Sequence, residues 1–165
     1  MKIAIIGFKH SGKTTFLKKL QQERMYKSID LDEEIEKTFE KLYLEKKKCF
    51  EIVRDKGILF FRKLEKKVLL GLDSHQILAT GGGTILDEEN VFLLKRSYKI
   101  LWLDTPFSVI EKRISNNFES IFSDEKMDLK KLYEKRMPIY AKLADLRFSY
   151  EMPLKEIMDW IEEVQ

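Results

Sequence analysis

The run Gly7-Phe8-Lys9-His10-Ser11-Gly12-Lys13-Thr14 constrains this chain more than any other stretch. It matches the pattern of a glycine, four residues, then Gly-Lys-Ser/Thr. Such a run works only between a strand and a helix. Its glycines let the backbone turn tightly and aim N–H groups at phosphate oxygens, and the following helix adds the partial positive charge of its N-terminus. Both flanks are present. Lys2–Ile6 reads as a buried strand, and Lys13 to about Gln22 as a helix with Phe16, Leu17 and Leu20 on one face. Ser11, Gly12, Lys13, Thr14 and Thr15 are therefore expected to wrap the phosphates of a nucleotide. Lys13 would reach the β- and γ-phosphates, and the Thr14 hydroxyl would be a Mg²⁺ ligand.

The rest of the chain repeats the strand–helix alternation. Met25–Asp30, Gln76–Thr80, Tyr98–Leu103 and Leu146–Tyr150 read as strands. Helical spacing covers a long charged region from Asp32 to about Val53, either continuous or broken, then Leu59 to about Gly71, Glu88–Lys95, Pro106–Ile114, Leu129–Leu143 and Leu154–Val164. This pattern predicts an α/β fold: a parallel sheet with helices on both faces, in one domain spanning 1–165. Ligands of such sheets bind beyond the carboxyl ends of the strands.

Two further polar motifs, one after the second strand and one after the third, fall on that rim, and two more lie on helices. Asp30-Leu31-Asp32 follows the second strand; its carboxylates either face the site, one near Mg²⁺ and one accepting a proton, or cap a helix. Phe61-Arg62-Lys63-Leu64-Glu65 puts Arg62 and Glu65 on one helix face, as a carboxylate-gripping arginine with its anchor or as a surface ion pair. Gly81-Gly82-Gly83 after the third strand weakens the fold unless something approaches the backbone closely. Arg136-Met137-Pro138-Ile139-Tyr140 places a proline within a helical pattern, where a kink would aim Arg136 at the rim.

Composition excludes several alternatives. The net charge is only +3, without a long basic run, so a nucleic-acid partner is not expected. No apolar stretch is long enough to span a membrane, and no signal-peptide pattern follows Met1. The single cysteine, Cys49, rules out an internal disulfide and a cysteine-based zinc site, and fits a reducing cytoplasm. A cytoplasmic monomer is expected.

In their order, Gly7–Thr15, Asp30-x-Asp32, Phe61-Arg62-x-x-Glu65, Gly81–Gly83 and Arg136-x-Pro138-x-Tyr140 resemble the shikimate kinases, over about Lys2 to Tyr150. The resemblance implies a three-layer P-loop kinase fold with a mobile lid, and transfer of the ATP γ-phosphate to the 3-hydroxyl of shikimate in aromatic amino-acid biosynthesis. It implies Asp32 as base, Asp30 beside Mg²⁺ with Thr14, and Arg62 and Arg136 on the shikimate carboxylate. The backbone of Gly81, Gly82 and Gly83 would hold the substrate hydroxyls, and Arg113 would lie near the adenine. The substrate region would occupy about 32–65 and the lid about 114–127.

Two features depart from the family, and a third residue is unusual for the loop. The lid reads Asn116-Asn117-Phe118-Glu119-Ser120, with Glu119 where an arginine is usual; Lys112, Arg113 or Lys126 are the cations nearest to compensate. The region around Phe39–Lys48 is longer than usual. His10 stands where many small-molecule kinases have another glycine, and a side chain is tolerated there if φ stays negative. The alternatives are a related kinase for a sugar acid such as gluconate, and a nucleotide-binding homologue with weak transfer.

Overall fold

The computed structural model describes residues 2–23, 26–72, 77–115 and 129–163. At its centre lies β1, Ile3–Ile6, every residue of which is buried, as a strand covered on both faces must be. The strands are β2 (Ser28–Asp30), β3 (Ile77–Ala79), β4 (Lys99–Asp104) and β5 (Leu146–Ser149), in the order β2-β3-β1-β4-β5. Every pairing is parallel; Ile3 stands opposite Ile77 on one side and Lys99 on the other.

Alternation along β1 divides the core in two. Ile3 and Ile5 pack with Leu17 and Leu20 of α1 (Lys13–Glu23) and with Ile157 and Ile161 of α8 (Leu154–Glu163). Ala4 and Ile6 face the opposite cluster. That cluster draws on α2 (Leu31–Tyr43), α3 (Cys49–Lys56), α4 (Ile58–Leu70), α5 (Glu88–Ser97), α6 (Phe107–Ser115) and α7 (Leu129–Leu143). From β1 the chain passes to β2 and β3 on one side, and only afterwards to β4 and β5 on the other. The strand order reverses at β1, so a crevice opens at its carboxyl end, where Gly7–Thr14 lies.

The long charged region is not one helix. α2 stops at Leu44, which adopts a left-handed φ of 56° and donates its N–H to Glu40 O; α3 begins at Cys49 and stops at Gly57, φ 84°. The extra length noted around Phe39–Lys48 is the end of α2 plus this break. Pro138 interrupts nothing: α7 runs continuously through it. Of the expected lid, about 114–127, the first two residues are the end of α6, and the rest, with Glu119 and Lys126, lies outside the described residues. Among the described residues no helix is long and apolar enough to cross a membrane.

Candidate active site

The loop after β1 is built from backbone that most residues avoid. Gly12 has φ 105°, and a Cβ there would stand 3.2 Å from Arg113 Nη1. His10 has φ 61°. The negative φ expected for a side chain at this position is therefore not adopted; His10 is the third residue of the turn closed by Ser11 N–H on Phe8 O (3.1 Å), and its left-handed φ is that of a type II rather than a type I turn. The loop is held from outside. Arg113 Nη1 of α6 donates to both His10 O and Ser11 O at 2.8 Å, and Thr105 Oγ1 donates to Ser11 O at 2.9 Å. Lys13 opens α1 and is buried, its ammonium donating to Gly7 O (2.9 Å) and Phe8 O (2.8 Å). Burial, the largest influence, brings its pKa down to about 8, with Asp32 and Asp30 opposing.

Asp30 ends β2 and caps α2, accepting the Asp32 N–H at 3.0 Å on Oδ1 while Oδ2 accepts the Thr14 hydroxyl at 2.5 Å. Capping and facing the site are thus one arrangement rather than alternatives. Asp32 is not extended, as its alternation with Asp30 suggested; it lies in the first turn of α2. Both carboxylates nevertheless line the same cavity. Burial, then the Asp30 charge, pushes the Asp32 carboxyl up to about 6. Next to it Cys49 Sγ donates to Asp32 O at 3.4 Å, and burial pushes that thiol up, away from nucleophilic use.

The three glycines have three different reasons, none of them positive φ. A Cβ on Gly81 would come within 2.8 Å of Asp32 Oδ1, one on Gly82 within 2.8 Å of Lys9 N, and one on Gly83 would overlap the Arg62 guanidinium. The loop after β3 and the loop after β1 are therefore in backbone contact. The Gly82 carbonyl accepts from Tyr140 Oη (2.6 Å) and Arg136 Nη1 (3.2 Å), and the Arg136 guanidinium also sits 5.5 Å from the Phe8 ring centroid. Arg62 and Glu65 are no surface pair. Glu65 is 0 % exposed and accepts from Arg62 Nη1 (2.7 Å), Thr84 Oγ1 (2.7 Å) and Asn90 Nδ2 (3.3 Å).

These elements surround a cavity of about 560 Å³. Ser11, Gly12, Lys13, Thr14, Thr15, Asp30, Asp32, Gly82 and Arg113 line it, with apolar side chains from Phe16, Tyr150, Met152 and Leu154 at one end. Arg113 also lies 5.9 Å from the Tyr150 ring centroid. Arg62, Gly81, Gly83 and Arg136 are not on this cavity's walls; they adjoin it, Gly81 and Gly83 flanking Gly82, Arg136 on the Gly82 carbonyl and Arg62 against Gly83. Among the described residues no cluster of three or more His, Cys, Asp or Glu could hold a metal by itself.

The shikimate kinase family model matches residues 9–164. The chain belongs to the shikimate kinase family. It is 37 % identical to the shikimate kinase of Persephonella marina, over 90 % of this chain and 88 % of that one. Its fold matches a shikimate kinase from Acinetobacter baumannii in complex with shikimate, at TM-score 0.85 and 25 % identity, covering 99 % of this chain and 94 % of that one. The shikimate kinase of Aquifex aeolicus matches at TM-score 0.78 and 31 % identity, covering 99 % and 98 %. The three-layer P-loop fold expected from the motifs is the observed one.

Within this shikimate kinase family chain, the residues that sequence reasoning passed over are the supports. Thr84 and Asn90 complete the shell of Glu65, and Tyr140, quoted only as part of a motif, holds the Gly82 carbonyl. A polar Asn90 on the inward face of α5 was the one legible signal for them.

Proposed function

We propose that this chain is a shikimate kinase, transferring the γ-phosphate of ATP to the 3-hydroxyl of shikimate. One observation carries the assignment of roles: Lys13, Thr14, Asp30 and Asp32 meet in one cavity, beside a bare glycine backbone in contact with buried Arg136 and half-buried Arg62. The loop N–H groups, Lys13 and the start of α1 hold the polyphosphate. Thr14 and Asp30, already hydrogen-bonded to each other, fit a Mg²⁺ ligand set of one hydroxyl and one carboxylate completed by phosphate oxygens; the ion would offset charge on the transferring group. Asp32 accepts the proton of the attacking hydroxyl as that oxygen bonds to phosphorus and ADP leaves. Its raised pKa suits that task, because a desolvated carboxylate is a stronger base than one in water. Arg62 and Arg136 bind the substrate carboxylate, Gly81, Gly82 and Gly83 its hydroxyls, and Arg113 the nucleotide. A single kinase domain, monomeric and cytoplasmic, with no nucleic-acid or membrane partner, fits the single sheet and the modest charge.

Coupled ADP release measured with shikimate, with gluconate and with neither tests the reading. Stimulation by shikimate alone is the expected result. ADP release stimulated by gluconate but not by shikimate would overturn the substrate assignment.

A further inference from the structure

His10 is the phosphate-loop residue to which the transfer reaction assigns no task. Its φ of 61° lies in the region where a Cβ crowds the backbone. Its Nε2 is buried without a hydrogen-bond partner, a second cost. Glycine would remove both at once. The residue nevertheless lines the same cavity as Ser11, Lys13, Thr14 and Arg113, where an acceptor-rich polyphosphate is expected.

The charges around His10 give it a switchable state. Lys9 adjoins it, Lys13 faces it from the start of α1 and Arg113 from α6, while Asp30 and Asp32 stand on other walls of the cavity. Burial first, then the three cations, hold the imidazole below its ordinary value, so near neutral pH it is uncharged in the nucleotide-free protein. A polyphosphate supplies enough negative charge to offset those cations, which favours the imidazolium and turns both ring nitrogens into donors.

We propose that His10 is a ligand of the nucleotide phosphates, taking up a proton as the nucleotide binds and donating from its imidazolium to a phosphate oxygen. This rests on the reading of Gly7–Thr14 as the ATP site. On that basis the strained backbone is retained because the side chain is used.

Binding of ADP with Mg²⁺ is measured by titration calorimetry in two buffers of different ionisation enthalpy, for the wild type, His10→Gly and His10→Gln. A thermal melt of each accompanies it. His10→Gly relieves the strain, so its Tm should be at or above wild type, which keeps the test free of misfolding. It should nonetheless bind ADP about 5-fold more weakly near pH 6.5, the loss shrinking by about pH 7.5, as expected when a charge-assisted hydrogen bond is removed. Proton uptake should be larger for the wild type than for either variant; any uptake by Asp32 is common to all three. Equal affinity and equal uptake in wild type and His10→Gly would overturn the proposal. So would a loss of affinity that is the same at both pH values, since that marks a structural effect. Absence of ADP binding by the wild type would instead overturn the nucleotide site itself, and this inference with it.

Discussion

Replacing Glu65 separates the work of its charge from the work of its shape. The carboxylate is fully buried and receives three side-chain donors, two at 2.7 Å and one at 3.3 Å. In Glu65→Gln the amide oxygen takes the position that accepts from Arg62 and Asn90, and the amide nitrogen donates to a Thr84 hydroxyl turned to accept. Each of the three neighbours keeps a hydrogen bond to residue 65, and the main loss is charge assistance to Arg62, about 1–1.5 kcal/mol, or roughly a 5- to 10-fold effect. The Arg62 guanidinium then holds its place less firmly. The KM for shikimate should rise by about that factor, with the KM for ATP and kcat close to wild type. Glu65→Ala removes the acceptor altogether and leaves a cation, only 23 % exposed, without its partner. Breaking such a buried pair costs about 3–5 kcal/mol, which for a domain of this size lowers Tm by on the order of 10 °C. The assays are coupled ADP release with shikimate varied and thermal unfolding. A wild-type KM for shikimate in Glu65→Gln would refute the positioning argument, and a Glu65→Ala variant of undiminished Tm would refute the energetic one.

Three further perturbations probe the site. Asp32 must be ionised to act as base, so kcat/KM should fall as pH drops below about 6; in Asp32→Asn, transfer should be lost while ADP binding persists, and near-normal turnover would disprove the role. The same shift acts on stability with the opposite slope. Between 3.8, the value without burial, and about 6 the native state keeps a proton that the unfolded chain has released, so on this group's account stability falls as pH rises through that window. Asp32→Asn should therefore be more stable than wild type at pH 7, by up to about 3 kcal/mol, as read by denaturant unfolding; no gain would argue against a desolvated carboxylate. Gly83→Ala pushes on the flexible end of Arg62 and should weaken shikimate binding alone, whereas Gly82→Ala presses on the Lys9 backbone and should cost about 1–3 kcal/mol of stability and weaken nucleotide binding as well. Identical kinetic profiles for the two would contradict the separate contacts assigned to them.

The sequence by itself determined the layers and the motifs. Local spacing located the five described strands and most helices between them, though not the break between α2 and α3, because a period of two or of 3.6 is written in neighbouring residues. The phosphate loop, Asp30-x-Asp32, the arginines and the glycine triplet were legible for the same reason: each is a short run whose chemistry depends on its own order. Tertiary structure decided what those runs touch. Whether Glu65 lies on a surface or at 0 % exposure depends on Thr84 and Asn90 arriving from other elements. The need for glycine at 81, 82 and 83 arises from Asp32, Lys9 and Arg62 respectively, which are distant in sequence. The left-handed His10 backbone belongs to a turn that α6 braces from outside through Arg113, a contact between residues far apart in the chain. Periodicity is a property of adjacent residues, while burial, close approach and charge environment belong to pairs that only the folded chain brings together.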